Sequence, residues 1–245
     1  MGGSSSTPTA SLTKWTNAVG DDALDAPAFK ALRGRRVVLA SSSPRRKDIL
    51  ASVGLHAEVV PSTFEENLPK SDFVGAAAYE YPIETGAHKA LEVYKRLMSE
   101  HPEDPPDLVI AADTVVVKSE EIMEKPKDAA DHARMIGELN DGMCEVITGV
   151  TIIHPILHAP GYQVRSLSEI TKVHFADNPA EVLQAYLENG EGSDRAGGVD
   201  IQGKGAMLVK SIEGDYNNVV GFPLFSFCAF LHELVETEQL TFDGV

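Results

Sequence analysis

A short apolar segment that leads straight into a helix start constrains the fold of this chain more than any other feature of its sequence. Residues 37–40, Val-Val-Leu-Ala, are typical of a buried strand. Ser43 can cap the following helix and Pro44 can be its first residue, because the first helical turn leaves backbone amides unpaired in any case. Apolar residues between 49 and 53 give this helix one side that can be buried. A strand that passes directly into a helix predicts an α/β fold.

The turn between this strand and helix suits an anion. It carries the hydroxyls of Ser41, Ser42 and Ser43, and the cations of residues 45–47 follow it. A helix N-terminus presents free N–H groups and a partial positive charge, so cations are unfavourable there unless an anion offsets them. The pattern therefore favours a phosphate site. A solvated basic first turn is the alternative interpretation of this segment.

The overall charge and the cysteines exclude some classes of function. The chain has 245 residues and a formal net charge of −16, which argues against a nucleic-acid or an anionic membrane surface as the partner. The two cysteines, Cys144 and Cys228, are far apart and lack metal-binding spacing, so we expect a reducing, cytoplasmic compartment. The first 34 residues lack the apolar segment of a secretory signal and predict a flexible leader.

Strand and helix patterns alternate along the rest of the chain. The predicted strands are 37–40, 57–60, 108–112, 115–117, 145–153, 171–175 and 206–212, and the predicted helices begin at or just after Pro44, Pro82, Asp128, Asn178 and Pro223. Because several strands are long enough to pair antiparallel, we expect a mixed central sheet with flanking helices. One domain is predicted over residues 35–238, followed by a tail over 239–245.

Acidic residues follow two of the predicted strands. Asp113 comes after residues 108–112, an apolar run typical of a central strand. Ligands of open α/β sheets collect beyond the carboxyl ends of strands, so a carboxylate there is a candidate metal ligand or general base. Glu65 and Glu66, in a polar loop, could complete an oxygen-rich magnesium site with it. A turn or capping role for Asp113, and solvated charges for the glutamates, are the alternatives.

Three other polar positions are weaker candidates when they are considered singly. Lys89, on the helix after Pro82, and Lys125, before a proline, are ordinary surface lysines on their own. Gln202 lies in the glycine-rich stretch 192–205, which can approach a ligand closely. This stretch is neither a P-loop nor a dinucleotide-binding fingerprint.

Taken together, these segments resemble the Maf family of nucleoside triphosphate pyrophosphatases. The resemblance covers residues 37–234 and rests on several motifs in the same order. They are Leu-Ala-Ser-Ser-Ser-Pro-Arg-Arg at 39–46, Ala-Asp-Thr-Val-Val at 112–116, Glu-Lys-Pro at 124–126, Ile-Thr-Gly-Val at 147–150, Ala-Gly at 196–197, Ile-Gln-Gly at 201–203 and Glu-Gly-Asp-Tyr-Asn-Asn-Val-Val-Gly-Phe-Pro-Leu at 213–224. The family implies a mixed, bent sheet, two lobes around a deep cleft, and commonly a homodimer.

The resemblance also implies roles for individual residues. The residues matched to substrate binding are Ser41, Arg45, Arg46, Lys89, Thr114 and Gln202. The residues matched to catalysis are Asp113, Glu66 and Lys125, and the first two of these would bind the divalent cation, Mg²⁺ or Mn²⁺. Three places depart from the family pattern. Phe64-Glu65-Glu66 stands for the usual Asp-Glu-Thr, Arg195 for a lysine, and Val199-Asp200 for Tyr-Gly.

The implied reaction splits a nucleoside triphosphate into a monophosphate and pyrophosphate, as a house-cleaning step in nucleotide pools. A sibling subfamily that resembles a 7-methyl-GTP pyrophosphatase carries Pro-Trp-Arg and Ser-Asp-Gln where this chain has Pro-Arg-Arg at 44–46 and Ala-Asp-Thr at 112–114. The chain therefore resembles the dTTP/UTP type. The alternatives are the 7-methyl-GTP type and a non-catalytic nucleotide-binding regulator of cell division.

Overall fold

The computed structural model describes residues 17–242 of the chain. Its helices are α1 (Pro27–Leu32), α2 (Pro44–Ala51), α3 (Tyr81–Glu100), α4 (Ala129–Leu139), α5 (Ala180–Asn189), α6 (Tyr216–Val220) and α7 (Leu224–Glu236). Its strands are β1 (Val37–Leu39), β2 (Glu58–Val59), β3 (Leu108–Lys118), β4 (Glu121–Met123), β5 (Met143–Pro155), β6 (Tyr162–Phe175) and β7 (Val209–Glu213). The strand and helix around Pro44 are therefore confirmed.

The strands form one mixed sheet, as the sequence predicted. Its order is β2-β1-β3-β5-β6-β7, and β4 pairs with β3 off this path. β1 lies parallel to β2 and β3, whereas β3, β5, β6 and β7 pair antiparallel in turn. β5 and β6 are longer than predicted, because they pair with each other from Met143 to Pro155.

β3 corrects the position predicted for Asp113. This residue does not follow a strand. It lies in the middle of β3, because pairing with β5 continues without a break from Val109 to Val117. On its other edge, β3 pairs with β1 only over residues 108–110 and with β4 only over residues 116–118. The stretch 111–115 between these partners is left uncovered by either strand.

Helices cover the sheet on both faces and divide its interior into separate cores. α1, α2 and α7 pack on the part of the sheet that contains β1 and the start of β3, which we call the α7 core. α4 and α5 pack on the other part, with residues of β5 and β6, which we call the α4–α5 core. α3 crosses the opposite face and packs on β1, β3 and β5. α7 buries Phe227, Leu231 and Leu234.

The second half of the predicted leader contains α1 and packs on the domain. Val19 bridges to Leu55, and α1 buries Phe29 and Leu32 in the α7 core. These apolar side chains lie three residues apart in α1, so they share a helix face that can be covered. Part of the predicted tail also packs on the domain, because Leu240 is buried in the α7 core. Residues 1–16 and 243–245, the remaining parts of the predicted leader and tail, lie outside the described residues.

Candidate active site

A cavity of about 490 Å³ lies beside the uncovered stretch of β3. Its polar end is built from the start of α2, the loop after β2, one turn of α3 and the middle of β3. The sequence-predicted residues that line the cavity are Ser41, Arg45, Arg46, Glu66, Lys89, Asp113, Thr114 and Lys125. The structure thus brings together every predicted site residue except Gln202.

Lys89 joins the two acidic residues of this cavity. Its Nζ lies 2.7 Å from Oδ1 of Asp113 and 2.7 Å from Oε1 of Glu66. Lys89 and Asp113 are both buried, whereas a lysine met in the sequence is expected at the surface. Burial raises the pKa of Glu66, but the hydrogen bond and the charge of Lys89 outweigh it, so the pKa is lowered. The cluster is a buried cation between two carboxylates.

A glycine on β5 allows α3 to bring Lys89 so close to the sheet. Gly149 is the register partner of Asp113. A Cβ atom at Gly149 would lie 2.5–2.6 Å from backbone atoms of Pro82 and Ile83, a distance that packed atoms do not reach. The first turn of α3 therefore rests directly on the strand, and the side chain of Lys89, two turns later, reaches Asp113.

Arg46 connects α2 to the middle of the sheet. Its Nη1 donates to Oγ of Ser41 (3.2 Å), its Nη2 to Oγ1 of Thr114 (3.1 Å) and its Nε to the carbonyl of Gly221 (2.9 Å). Burial lowers the pKa of this guanidinium, and the charges of Asp113 and Glu66 oppose that shift. The fork of an arginine suits this set of three acceptors, so Arg46 is fixed in orientation.

The start of α2 differs in one detail from its prediction. Ser43 is at the capping position, but its side chain makes no capping hydrogen bond. The hydroxyl that acts there is Ser41, whose Oγ accepts the backbone N–H of Ser43 at 3.2 Å. Ser41 is therefore tied both to the turn and to Arg46. Arg45, the next basic residue, pairs with Asp200 across the cavity at 3.2 Å.

The loop that carries Glu66 is held by two residues of α3 that the sequence did not reveal. Glu92 accepts hydrogen bonds from Oγ of Ser62 (2.8 Å) and from the backbone N–H of Thr63 (3.0 Å). His88 stacks on Phe64, with ring centroids 4.9 Å apart and the rings nearly parallel. His88 is the residue before Lys89 and Glu92 lies about one helical turn after it, so α3 positions the ammonium and the loop carboxylate together. In the sequence, the sign of this polar helix face is the spacing of four residues between positions 88, 92 and 96 of α3.

Two further lysines lie near the acidic cluster. Lys125 is exposed at the rim of the cavity, as the sequence suggested. Lys70 was not predicted; it pairs with Glu124 and lies over the ring of Tyr81. Burial lowers the pKa of Lys70, while the charges of Glu66 and Asp113 raise it, which places Lys70 within electrostatic reach of the cluster.

The other end of the cavity is apolar and reaches into the α4–α5 core. Val116, Cys144, Val146 and Val173 are among the residues that line it. Burial raises the pKa of Cys144 to about 12, so this thiol stays protonated and is not a nucleophile at neutral pH. The cavity therefore combines a charged end with an apolar end, as sites for amphipathic small molecules do.

The glycine-rich stretch forms the wall opposite α2, but it does not present Gln202 to the cavity. Residues 195–197, Val199 and Ile201 line the cavity. The side chain of Gln202 is exposed outside this wall, and its backbone N–H donates to Oδ1 of Asp200 at 3.0 Å. A role of Gln202 in substrate binding therefore requires the loop to rearrange.

The acidic cluster offers two carboxylates to a divalent metal. Within residues 17–242, no three His, Cys, Asp or Glu side chains are arranged around one metal position. Asp113 and Glu66, however, each hold a carboxylate oxygen at 2.7 Å from the same cation, that of Lys89. Mg²⁺ is commonly bound by one or two carboxylates together with substrate phosphates. The donor set fits a metal that binds together with a triphosphate.

Comparison with protein families identifies the fold. Residues 36–234 match the model described as Maf-like protein. The chain belongs to the Maf family. The resemblance found from the motifs is thereby confirmed, and the mixed α/β sheet is consistent with the Maf fold.

Several curated Maf relatives are similar over most of this chain. A human protein named probable bifunctional dTTP/UTP pyrophosphatase/methyltransferase is 46% identical over 210 residues, which are 85% of this chain but 33% of that protein. The chain thus spans about a third of that relative's length. The dTTP/UTP pyrophosphatase of Schizosaccharomyces pombe is 40% identical, covering 87% of this chain and 89% of its own. The protein of the same name from Saccharomyces cerevisiae is 37% identical, and the match covers 77% of this chain and 85% of the yeast protein.

None of the helices between residues 17 and 242 has the length and apolar character needed to cross a bilayer.

Proposed function

We propose that this chain is a metal-dependent pyrophosphatase that hydrolyses dTTP and UTP to the monophosphate and pyrophosphate, and so cleans nucleotide pools. The observation that carries this proposal is the buried pair of Asp113 and Lys89, joined by the more exposed Glu66, in the cavity that Arg45 and Arg46 also line. The printed names of the relatives support the choice of substrate.

The charges of the cavity suit a polyphosphate. Phosphoryl transfer depends mainly on positioning and on electrostatic stabilisation, because the charge of the transferred group must be held in place. Arg45, Lys89 and Lys125 line the cavity and supply cations. Ser41 adds a hydroxyl, and the first turn of α2 adds backbone N–H groups that have no partner within the helix. These groups would hold the pyrophosphate portion as it leaves with its charge.

Asp113 is suited to accept a proton from the attacking water. The water oxygen would form a bond to the α-phosphorus, the bond from that phosphorus to the bridging oxygen of the β-phosphate would break, and the proton would pass to a carboxylate oxygen of Asp113. Lys89, bound to Oδ1, fixes the orientation of this carboxylate. Asp113 lies in a paired strand, so its backbone cannot move away during the reaction.

Asp113 and Glu66 would hold the metal. Held there, Mg²⁺ or Mn²⁺ would neutralise phosphate charge and act as a Lewis acid. The side chain of Glu66 is 55% exposed, so this carboxylate could exchange Lys89 for a metal.

The base would be read by polar groups near the centre of the cavity. Thr114 and Arg46 already line the cavity and are candidates for this role. Gln202 is a third candidate, but its side chain would have to turn into the cavity. An amide side chain can donate to a pyrimidine carbonyl and accept its N3–H at the same time. Polar groups left unpaired by the wrong base would give the selectivity.

Product analysis tests the proposal. The protein is incubated with dTTP or UTP and MgCl₂, and the products are separated by ion-exchange chromatography. Monophosphate and pyrophosphate are expected, with loss of turnover in EDTA and recovery on addition of Mg²⁺ or Mn²⁺. A nucleoside diphosphate and orthophosphate would contradict the proposal. Turnover of 7-methyl-GTP in preference to both substrates would favour the sibling activity, and nucleotide binding without any turnover would favour a regulator.

We also propose that the chain forms a homodimer in a reducing compartment such as the cytoplasm. β7 covers only residues 172–175 of β6, so residues 162–171 have no strand partner on that edge within the described chain. Val164 and Ile170 are exposed on this part of β6, and open edges favour pairing with another chain. Cys144 and Cys228 are free thiols. Light scattering after gel filtration, with Ile170→Lys as the disrupting variant, measures the oligomeric state.

A further inference from the structure

One carboxylate in the loop opposite α2 joins two arginines of the cavity wall. Oδ1 of Asp200 lies 3.2 Å from Nη1 of Arg45, and its Oδ2 lies 3.2 Å from Nε of Arg195. Both arginines line the cavity, whereas Asp200 is not part of its wall. Its side chain is 17% exposed. Asp200 therefore acts on the cavity only through the two arginines.

The backbone of Asp200 is fixed to the α4–α5 core. Its N–H donates to the hydroxyl of Tyr186 at 3.2 Å, and this hydroxyl donates to the carbonyl of Gly198 at 3.2 Å. Nε2 of His132 lies 2.8 Å from the same carbonyl. Burial raises the pKa of Tyr186 to about 12, so the hydroxyl keeps its proton. The carboxylate is thus held by α4 and α5 rather than by a free loop.

The two arginines would repel each other without this carboxylate. Burial lowers the pKa of Arg45, the charge of Asp200 opposes the shift, and the charge of Arg195 adds to it. Arg45 belongs to α2 on one side of the cavity and Arg195 to the glycine-rich loop on the other. A carboxylate with one oxygen for each guanidinium can hold two such cations together.

The sequence gives a second indication. Arg195 and Asp200 both depart from the residues expected from the family motifs, where a lysine and a glycine are usual, and these two departures meet in one ion pair. A guanidinium offers a fork of donors that can bind a carboxylate and a phosphate at once, which an ammonium does less well.

We propose that Asp200 is a positioning residue that holds Arg45 and Arg195 side by side as a two-arginine binding site for the phosphate chain of the substrate. The class of ligand rests on the proposed function; the pairing of the arginines does not. Each guanidinium keeps donors that Asp200 does not use, so both can bind phosphate oxygens while the carboxylate holds them in place.

Binding of inorganic pyrophosphate, measured by isothermal titration calorimetry, tests this role without turnover. Asp200→Asn keeps the shape and one acceptor but removes the charge. We expect it to weaken pyrophosphate binding about tenfold, the size of effect that follows from losing hydrogen bonds to charged groups. Asp200→Glu keeps the charge and should restore most of the affinity. Asp194→Asn is the comparison variant and should cost less affinity, because Asp194 also lines the cavity and its charge reaches Arg45, but its ion pair is with Arg195 and its side chain is 71% exposed.

Kinetic and binding results together distinguish the positioning role of Asp200 from a purely structural role and from the proposed hydrolase function. In hydrolysis assays, Asp200→Asn should raise KM for UTP more than it lowers kcat, while its far-UV circular dichroism spectrum stays that of the folded wild type. In a variant that already carries Arg45→Ala and Arg195→Ala, the further change Asp200→Asn should no longer alter pyrophosphate binding. Equal or tighter pyrophosphate binding by Asp200→Asn, an equal loss in Asp194→Asn, or a wild-type protein that does not bind pyrophosphate would overturn the inference. A protein that binds pyrophosphate through Asp200 but hydrolyses no triphosphate would leave it standing while the proposed function fails.

Discussion

The ammonium of Lys89 lies 2.7 Å from the carboxylate of Asp113, and both residues are buried. Two charged groups are stable in such a place only when they are paired, because each would otherwise lose its hydration without compensation. Glu66 binds the same ammonium from the other side. Lys89 alone therefore neutralises one of the two carboxylates, and the charges of Arg46 and Lys125 also act on this group.

Replacement of Asp113 by Asn should almost abolish hydrolysis while the fold is kept. The change preserves shape and the acceptor for Lys89 but removes the charge that holds a metal and takes the proton of water. Loss of a general base costs roughly 10²–10⁴ in rate. Pyrophosphate release in a coupled assay gives the rate, and the melting temperature gives the fold. A folded variant with near-normal turnover would exclude Asp113 from the mechanism.

Replacement of Lys89 by Met should raise the affinity for Mn²⁺ and lower turnover. Without the ammonium, Asp113 and Glu66 face each other with like charges, so a divalent cation no longer competes with an internal partner. The affinity is measured by titration with Mn²⁺ and electron paramagnetic resonance detection of the free ion. Lys95→Met, on the exposed side of α3, is the matched control and should change neither quantity. Weaker Mn²⁺ binding in Lys89→Met would show that these carboxylates are not the metal ligands.

Replacement of Gly149 by Ala should destabilise the protein and reduce activity together. The added Cβ would meet backbone atoms of Pro82 and Ile83 at 2.5–2.6 Å, so α3 must move away from the sheet and carry Lys89 with it. Overpacking of this kind costs about 1–3 kcal/mol. Gly137→Ala in α4 is the control, because its Cβ would meet nothing within 4 Å and should stabilise the helix. Urea unfolding of both variants measures the difference, and equal stability would contradict the close packing of α3.

Replacement of Glu92 by Gln should show a defined dependence of stability on pH. Burial raises the pKa of Glu92, but the hydrogen bonds from Arg96, Ser62 and Thr63 lower it from 4.5 to about 2. Because the pKa in the folded state is the lower one, the stabilisation is complete above pH 4.5 and is lost as the pH falls towards 2.

The wild type should therefore be more stable than Glu92→Gln at pH 7. Below pH 4.5, the difference in unfolding free energy should shrink by about 1.4 kcal/mol for each pH unit. Urea unfolding at pH 7, 4 and 3 checks this. A difference that does not change with pH would mean that the charge of Glu92 does not hold the loop of Glu66.

Replacement of Gln202 by Ala tests whether the loop turns inward. If its amide pairs with a pyrimidine, kcat/KM for dTTP and UTP should fall by about 1–3 kcal/mol of lost hydrogen bonding, and the advantage over purine triphosphates should narrow. We expect this selective loss. A uniform loss for all triphosphates would show that Gln202 only supports the loop.

Local chemistry explains what the sequence predicted correctly. The turn at Ser41–Pro44 and the helix start at Asp128 depend on neighbouring residues, so they could be identified from residue types alone. The motifs also selected the residues of the cavity, because polyphosphate chemistry requires cations and carboxylates wherever they lie in the chain.

The limits of local patterns explain the errors. Asp113 interrupts an apolar run and was predicted to follow a strand, yet the strand continues because β5 supplies partners across from it. Phe29 and Leu32 were assigned to a leader, since no sequence pattern showed that α7 would cover them.

The sequence by itself determined the α/β class, the strand-turn-helix at Pro44 and the chemical character of the site. Only the tertiary structure decided that Lys89 is buried between Asp113 and Glu66, that Glu92 and His88 hold the loop of Glu66, and that Gln202 lies outside the cavity. The physical reason is that these relationships join segments far apart in the chain. They depend on how closely α3 can approach the sheet at Gly149, which is a property of packing and not of any one segment.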